Sequence, residues 1–168
     1  LTNVVGSDVV TPTVSVTVAV GNTSTAGKLK AGTYTGIQSL SALAGADAVN
    51  YSHGGVTGDY TVTPLALSAS ITSGSSVYGS ALVLGTPSFS NVVGADVVTP
   101  SVVSIVSPAY STSNNLKAGT YAQRITSTLG GTDAINYTLI GGYTTGTNNY
   151  TVNTLSLTGS IAAGSTTY

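Results

Sequence analysis

Charge is the scarcest feature of this sequence. Asp, Glu, Lys and Arg together make up 5% of the 168 residues, and the net charge is −1. Ordinary soluble domains carry about 25% charged residues. With four basic residues, the chain offers no basic patch that could neutralise phosphates, so no nucleic-acid partner is expected. A near-neutral surface also gives little repulsion between molecules, and self-association is therefore expected.

Several residue types are missing altogether. Cys, Met and Trp are absent, which excludes disulfide and thiol chemistry. Glu is absent too, since all five acidic residues are aspartates, at positions 8, 47, 59, 96 and 133. The paired carboxylates of a glycosidase are therefore not available, and the sequence predicts no enzyme. No run of 18 apolar residues occurs, so no membrane span is predicted.

The one histidine has no pattern of metal ligands around it. His53 lies in a Gly-rich stretch, and Leu139 takes its place in the second copy of the repeat described below. The aspartates are scattered singly and do not form the dense oxygen cage that calcium requires. No catalytic residue, metal site or cofactor is therefore predicted, and His53 is interpreted as a loop residue.

The sequence repeats itself. NVVGSDVVTP at 3–12 returns as NVVGADVVTP at 91–100, and LKAGTY at 29–34 returns at 116–121. Three further segments recur in the same order: GADAVNY as GTDAINY, DYTV as NYTV, and LALSASITSGSSVY as LSLTGSIAAGSTTY. The spacing predicts a tandem repeat of roughly 88–90 residues, which suits one small domain per repeat.

The chain is out of phase with this repeat. Residues 1–63 correspond to the later two-thirds of one repeat, residues 64–153 to one complete repeat, and residues 154–168 to the first strands of a third. We therefore interpret the sequence as a window from a longer periodic chain.

Alternating apolar residues predict strands throughout. Such alternation occurs at Val14–Val20, at Leu65–Ile71 and again at Leu155–Ile161, where every second residue is apolar. Together with Val- and Thr-rich composition and 21 glycines, it predicts an all-β fold of tandem small β-sandwich-like domains, with β-grasp-like units as the alternative.

The alternation changes phase at Thr63-Pro64. Tyr60 and Val62 are apolar at even positions, whereas the apolar residues from Leu65 onward are at odd positions. A phase change indicates a bulge or a strand that leaves one core and enters the next. We favour the second interpretation, which predicts a short, stiff joint between repeats.

Tyrosine supplies nearly all the aromatic surface. Possible inter-repeat or lateral contacts are the recurring residues Tyr34 and Tyr121, Tyr51 and Tyr137, and Tyr60 and Tyr150. The alternative is ordinary amphipathic packing at the rim of a sandwich, and glycan contact is a further possibility without independent support.

Another recurring set combines lysine, amide and acid. Lys30 and Lys117, Asn50 and Asn136, and Asp47 and Asp133 contain the groups needed for a spontaneous Lys–Asn isopeptide bond. The alternative is a lysine whose stem lies along the surface beside a β-turn.

The complete repeat resembles a known type of bacterial repeat. LALSASITSGSSVYGSAL, FSNVVGADVVTP, LKAGTYAQRI, GTDAINYTLI and NYTV follow one another in a way similar to the MBG and YDG-type repeats of large bacterial surface adhesins, the filamentous-haemagglutinin-like secreted proteins. Tyr78-Gly79-Ser80 stands for the Tyr-Asp-Gly turn, and Gly94-Ala95-Asp96 for the Gly-Asp step. The resemblance implies a secreted, extracellular or cell-surface structural repeat and supplies no catalytic residues.

Two functions follow as expectations. One is a structural segment of an extracellular filament, sheath or biofilm-matrix fibre, whose partners are neighbouring repeats and copies of itself. The other is the spacer stalk of a giant adhesin whose binding tip lies elsewhere. Low charge favours the fibre, because exposed strand edges without blocking lysines pair readily.

Overall fold

A computed structural model describes all residues from 1 to 168. It is nearly all-β, as the sequence predicts, with no α-helix and two short 3₁₀ turns at Ala48–Asn50 and Ala134–Asn136. β-branched Val, Ile and Thr favour extended backbone, and glycines at positive φ close the turns between strands. None of its helices could span a membrane.

The strands are short, with one exception. β2 runs over 13 residues, Gly32–Ala44, and the other strands have two to six residues. In chain order the others are β1 Thr11–Val16, β3 Thr57–Val62, β4 Leu65–Ala66, β5 Ala69–Ile71, β6 Gly74–Val77, β7 Pro87–Phe89, β8 Thr99–Pro100, β9 Ser104–Ile105, β10 Gly119–Tyr121, β11 Gln123–Ile125, β12 Leu129–Gly130, β13 Tyr137–Thr138, β14 Tyr143–Thr144 and β15 Tyr150–Asn153.

Two compact units divide the chain, and they cut across the sequence repeats. Unit 1 comprises Leu1–Ser68, Asn91–Thr99 and Thr128–Ile140. Unit 2 comprises Ala69–Ser90, Pro100–Ser127 and Gly141–Tyr168. Unit 1 therefore combines the first copy of the repeat with two segments of the second copy.

Unit 1 is built on an antiparallel sheet in the order β1-β2-β3. Tyr34 pairs with Tyr60 across β2 and β3. After Val62 the chain leaves this sheet, and β4 pairs in parallel with β13 of the second repeat, Leu65 opposite Tyr137. The chain therefore changes sheet after Thr63-Pro64, but β3 and β4 both belong to unit 1, so the prediction that the strand enters a separate core is not borne out.

Unit 2 contains the best-formed apolar core. Its main sheet has the order β10-β15-β6, in which β6 is parallel to the central strand β15. Leu116, Tyr150 and Val152 are buried together at this sheet, and Tyr78, Leu84, Ile105 and Tyr121 pack against them. Two smaller sheets, β14-β11-β9 and β5-β7, complete the unit.

Two predicted strands differ in the structure. The expected half-buried strand at Val14–Val20 is wrong: β1 ends at Val16, at the edge of a three-stranded sheet, and all six of its residues are exposed. The strand expected at Leu155–Ile161 does not form, and this segment is exposed. Its counterpart Leu65–Ile71 forms β4 and β5 by pairing with β13 and β7, whereas no strand of the chain pairs with 155–161.

The backbone conformation at position 131 requires glycine. Its φ is +97°, and a Cβ there would overlap the carbonyl oxygen of Val97, which accepts the Asp133 N–H at 3.1 Å. We expect Gly131→Ala to lower the free energy of unfolding by about 2–4 kcal/mol through strain and loss of this turn. Chemical denaturation measures the change. Gly54→Ala, where no heavy atom lies within 4 Å, is the control, and equal effects of the two changes would contradict the prediction.

Candidate functional site

A tight turn in the first repeat presents backbone donors that have no acceptor within the turn itself. We call residues 24–31 the first docking turn. The Gly27 N–H donates to the Ser24 carbonyl at 2.9 Å, and the Ser24 N–H donates to the Lys28 carbonyl at 2.7 Å. Gly27 has φ +72°, a left-handed conformation that glycine adopts without strain. This geometry turns the N–H groups of Thr25 and Ala26 outward, away from acceptors within the turn.

Side chains of the second repeat accept these donors. We call Asp96, Asp133 and Asn136 the second-repeat acceptor cluster. The Thr25 N–H donates to Asp133 Oδ1 at 3.0 Å, and the Ala26 N–H donates to Asp96 Oδ1 at 2.7 Å. The third bond, at 2.8 Å, runs from the Ala31 N–H to Asn136 Oδ1. All these residues belong to unit 1, so the turn of one repeat is bound by the next.

The other carboxylate oxygens hold the cluster itself in place. Asp133 Oδ2 accepts the Val97 N–H at 2.8 Å. Tyr137 donates its hydroxyl to Asp96 Oδ2 at 2.8 Å and accepts the Val93 N–H at 2.9 Å. Each aspartate therefore uses one oxygen within its own repeat and the other for the preceding repeat, which orients the acceptors before the turn binds.

The hydrogen bonds favour the charged form of both acids. Burial raises the pKa of Asp96, but donors from Ser24, Ala26 and Tyr137 outweigh it and hold that pKa below its usual value. The Val97 N–H and the donors of Thr25 lower the pKa of Asp133, whose side chain is 2% exposed. Both side chains are therefore carboxylates near neutral pH, the form that accepts hydrogen bonds most strongly.

The first repeat contains the same arrangement. Asp47 Oδ2 accepts the Val9 N–H at 2.8 Å, and the Tyr51 hydroxyl donates to Asp8 Oδ2 at 2.7 Å while accepting the Val5 N–H at 2.9 Å. The Asp8 bond is the largest cause of a raised pKa at Tyr51. We call Asp8, Asp47 and Asn50 the first-repeat acceptor cluster. The sequence shows the recurrence of Asp47 and Asn50 as Asp133 and Asn136, whereas Asp8 and Asp96 were interpreted from it only as singly scattered aspartates.

The six tyrosines proposed as contacts fall into three pairs. Tyr34 and Tyr121 each donate to the carbonyl four residues earlier, of Lys30 and Lys117, at 2.8 Å. Tyr51 and Tyr137 brace the acceptor clusters, as described above. Tyr150 is fully buried and donates to Ser76 Oγ at 2.8 Å, whereas its counterpart Tyr60 is 42% exposed. Of these pairs, the structure brings Tyr137 to a joint between repeats; contacts with other molecules remain a prediction.

The residues of the isopeptide hypothesis lie close to this joint. Lys30 Nζ donates to the Gly21 carbonyl at 2.9 Å. Asn136 Oδ1 is bound to the Ala31 N–H, and its Nδ2 is buried without a hydrogen-bond partner. Lys117, Asn50, Asp47 and Asp133 occupy the equivalent or neighbouring positions in the two repeats. The hypothesis stays a prediction.

Gln123 is a structural residue that sequence analysis missed. It is fully buried in unit 2. Its Oε1 accepts the Gly85 N–H at 2.7 Å, and its Nε2 donates to the Thr72 carbonyl at 3.1 Å and to Asn149 Oδ1 at 2.9 Å. The repeat pattern gave no signal, because Gly36 takes this position in the first copy. Gln123 therefore clamps the segment that opens the second repeat in a way the first copy cannot reproduce.

His53 is exposed, as expected of a loop residue, and its ring lies beside the Gly54 carbonyl at 3.2 Å. It lines an open groove of about 550 Å³ with Leu40 and Val56. The chain contains no group of three or more His, Cys, Asp or Glu side chains that could hold a metal ion.

Replacing the donor at Thr25 should weaken the joint. Thr25 is the second residue of the turn Ser24–Gly27, a position where proline is favoured. Thr25→Pro therefore removes the N–H with little change to the turn and leaves Asp133 Oδ1 without its donor. We expect the thermal midpoint to fall by about 2–4 °C. Thr112→Pro, at the equivalent position of the second repeat where the N–H binds no acceptor, is the matched control; a similar fall in both variants would rule out this role.

Acid should destabilise the joint. Because the folded-state pKa values of Asp96 and Asp133 are lowered, their contribution to stability is present above the unfolded-state pKa of about 3.9 and is lost as pH falls through the folded-state values. We expect the thermal midpoint to be level from pH 7 to about 5 and to fall below about pH 4. Asp133→Asn should have a lower midpoint at pH 7 and a shallower acid decline. An unchanged acid decline in that variant would show that other groups cause it.

Known proteins offer no template for this arrangement. No family model, curated protein or solved structure matches the chain. Its function is therefore inferred from the atoms of the site and from the internal repeat.

Proposed function

We propose that this chain is a structural repeat segment of a long extracellular bacterial protein that forms a filament, sheath or matrix fibre through repeat–repeat contacts. The observation that carries the proposal is the binding of the first docking turn by Asp96, Asp133 and Asn136 of the next repeat. These side chains perform a mechanical task, holding one repeat against its successor.

Two kinds of link act together at this joint. The repeats are joined covalently through Thr63-Pro64 and by three hydrogen bonds from the docking turn. The parallel pair β4–β13 lies within the second repeat and fixes the segment that directly follows the connection. Proline restricts its own φ and the conformation of the preceding residue, so the connection has little freedom. A small cavity of about 140 Å³ lined by Leu29, Val62 and Leu65 among others lies at the same place. Tandem β-sandwich-like units joined in this way would form a stiff array.

The surface favours lateral association of such arrays. Val20, Val49, Val102 and Ile140 are each at least 89% exposed, and 5% of the residues are charged. Exposed apolar side chains with little charge repulsion between them promote contact between neighbouring molecules. This property supports a bundled fibre over a single soluble stalk.

The spacer stalk of a giant surface adhesin is the second candidate. The same stiff joint would hold a distal binding tip away from the cell, and the resemblance to MBG and YDG-type adhesin repeats supports it. Both candidates place the chain outside the cell or on its surface.

Electron microscopy of the native material, as it comes off the cell, distinguishes the bundled fibre from the spacer stalk. We expect laterally packed fibres with an axial period of one or two repeats, because the exposed valines and the low charge favour bundling. Thin single strands that end in a distinct knob would contradict the fibre and support the stalk.

A further inference from the structure

A strand from the start of the complete repeat lies beside the strand that ends it. β6 and β15 both belong to residues 64–153, and they pair in parallel. At one end of the pair, the Gly74 N–H donates to the Asn149 carbonyl at 3.1 Å. At the other end, the Tyr78 N–H donates to the Asn153 carbonyl at 2.8 Å. Because the strands are parallel, the chain enters β6 at one end of the pair and leaves β15 at the opposite end.

Side chains tie the two strands together as well. Tyr150 is fully buried and donates its hydroxyl to Ser76 Oγ at 2.8 Å. Asn153 Nδ2 donates to the Ser76 carbonyl at 3.4 Å. Next to the start of both strands, Asn149 Nδ2 donates to the Ile71 carbonyl at 3.0 Å. Side-chain hydrogen bonds therefore reinforce the backbone bonds at the start, the middle and the end of the pair.

The face of the pair that carries Tyr150 is shielded from water. Val152 of β15 is 3% exposed and lies with Tyr150 in the apolar core of unit 2, against which Leu84 packs. A Cβ on Gly74 would lie 3.0 Å from the Tyr150 ring, so β6 is packed closely against this core. Hydrogen bonds beside such a core are electrostatically stronger than bonds in water, which makes the pair difficult to separate.

We propose that the β6–β15 pair is a mechanical clamp that makes the complete repeat resist tension along the chain. Tension pulls β6 through the residues before it and β15 through the residues after it, in opposite directions. Because the strands are parallel, this pull slides one strand along the other, and all the hydrogen bonds of the pair are loaded together. The inference rests on the proposed function, since a fibre and a stalk alike are pulled along the chain.

The direction of pull decides how the bonds share the force. A pull on the same end of both strands would peel them apart and load one hydrogen bond at a time. The same folded protein should therefore resist sliding more than peeling. Forced unfolding is governed by the unfolding rate and not by equilibrium stability, so the clamp has to be measured under force.

Single-molecule force spectroscopy in two pulling directions tests the clamp. The chain has no Cys, so two introduced thiols are the only attachment points for molecular handles. Ser73→Cys with Thr154→Cys pulls the strands at opposite ends, and Ser73→Cys with Thr147→Cys pulls them at the same end. All three positions are exposed. We expect the first variant to unfold at a clearly higher force at the same loading rate. Equal forces, or a higher force in the second variant, would overturn the clamp.

The length released identifies the unfolding event in each variant. The segments between the handles contain the 81 residues from 74 to 154 and the 74 residues from 74 to 147. At roughly 3.5 Å per residue, their full extensions are about 280 Å and about 260 Å. Unfolding steps that approach these lengths verify that the strands between the handles were folded before the pull.

Two tyrosine variants locate the resistance within unit 2. Tyr150→Phe removes the hydroxyl that binds β6, whereas Tyr121→Phe removes a hydroxyl that donates to the Lys117 carbonyl at 2.8 Å, outside the pair. Both rings lie in the same apolar core, so Tyr121→Phe is the matched control. With handles at 73 and 154, we expect Tyr150→Phe to lower the unfolding force and Tyr121→Phe to leave it unchanged. Equal losses would show that another part of the unit resists the force, which overturns the assignment to β6 and β15.

The clamp and the fibre fail by different results. Equal forces in the two pulling directions would overturn the clamp and leave the bundled fibre intact, because electron microscopy measures bundling independently. Single knobbed strands in the native material would overturn the fibre and leave the clamp intact, because a stalk is pulled along the chain in the same way.

Discussion

The structure of the joint depends on the backbone N–H groups of one turn. In residues 24–31 the carbonyls of Ser24 and Lys28 are already used to close the turn, so the N–H groups of Thr25, Ala26 and Ala31 need acceptors from elsewhere. Hydrogen bonds to charged groups contribute about 1.5–3 kcal/mol each. The second repeat supplies three acceptors at 2.7–3.0 Å, two of them carboxylates, and these bonds fix the turn of the first repeat against the second.

The acceptors can bind the turn because hydrogen bonds within their own repeat already hold them in position. Asp133 is fixed by the Val97 N–H, and Asp96 by the Tyr137 hydroxyl. A left-handed glycine, Gly131, lets the backbone approach the Val97 carbonyl closely. The equivalent bonds in the first repeat form without any docking turn. Preorganised acceptors lose less entropy on binding, which makes a small joint effective and allows it to recur along a periodic chain.

The aspartates are concentrated in the two acceptor clusters. Four of the five aspartates, at positions 8, 47, 96 and 133, belong to the two acceptor clusters. Hydrogen bonds to carboxylates are about twice as strong as those between neutral groups. A few aspartates are therefore enough to form strong hydrogen bonds in these clusters. Elsewhere the surface is almost uncharged and carries exposed valines, which favours contact between arrays. In the proposed fibre, strength along the array and association across it would thus have different chemical origins.

The sequence by itself determined the repeat and the all-β class, because strand alternation and turn glycines are local properties of the chain. It also singled out the recurring Asp47, Asp133, Asn50 and Asn136. It could not say that Asp133 and Asn136 accept hydrogen bonds from a turn more than 100 residues earlier in the chain, since such a contact leaves no periodic signal. Tertiary structure likewise decided three further features. These are the exposure of Val14–Val20, the buried hydrogen bonds of Gln123, and the formation of strands in 65–78 but not in 155–168. The segment 65–78 forms strands because other strands pair with it, since a strand gains its hydrogen bonds from a partner.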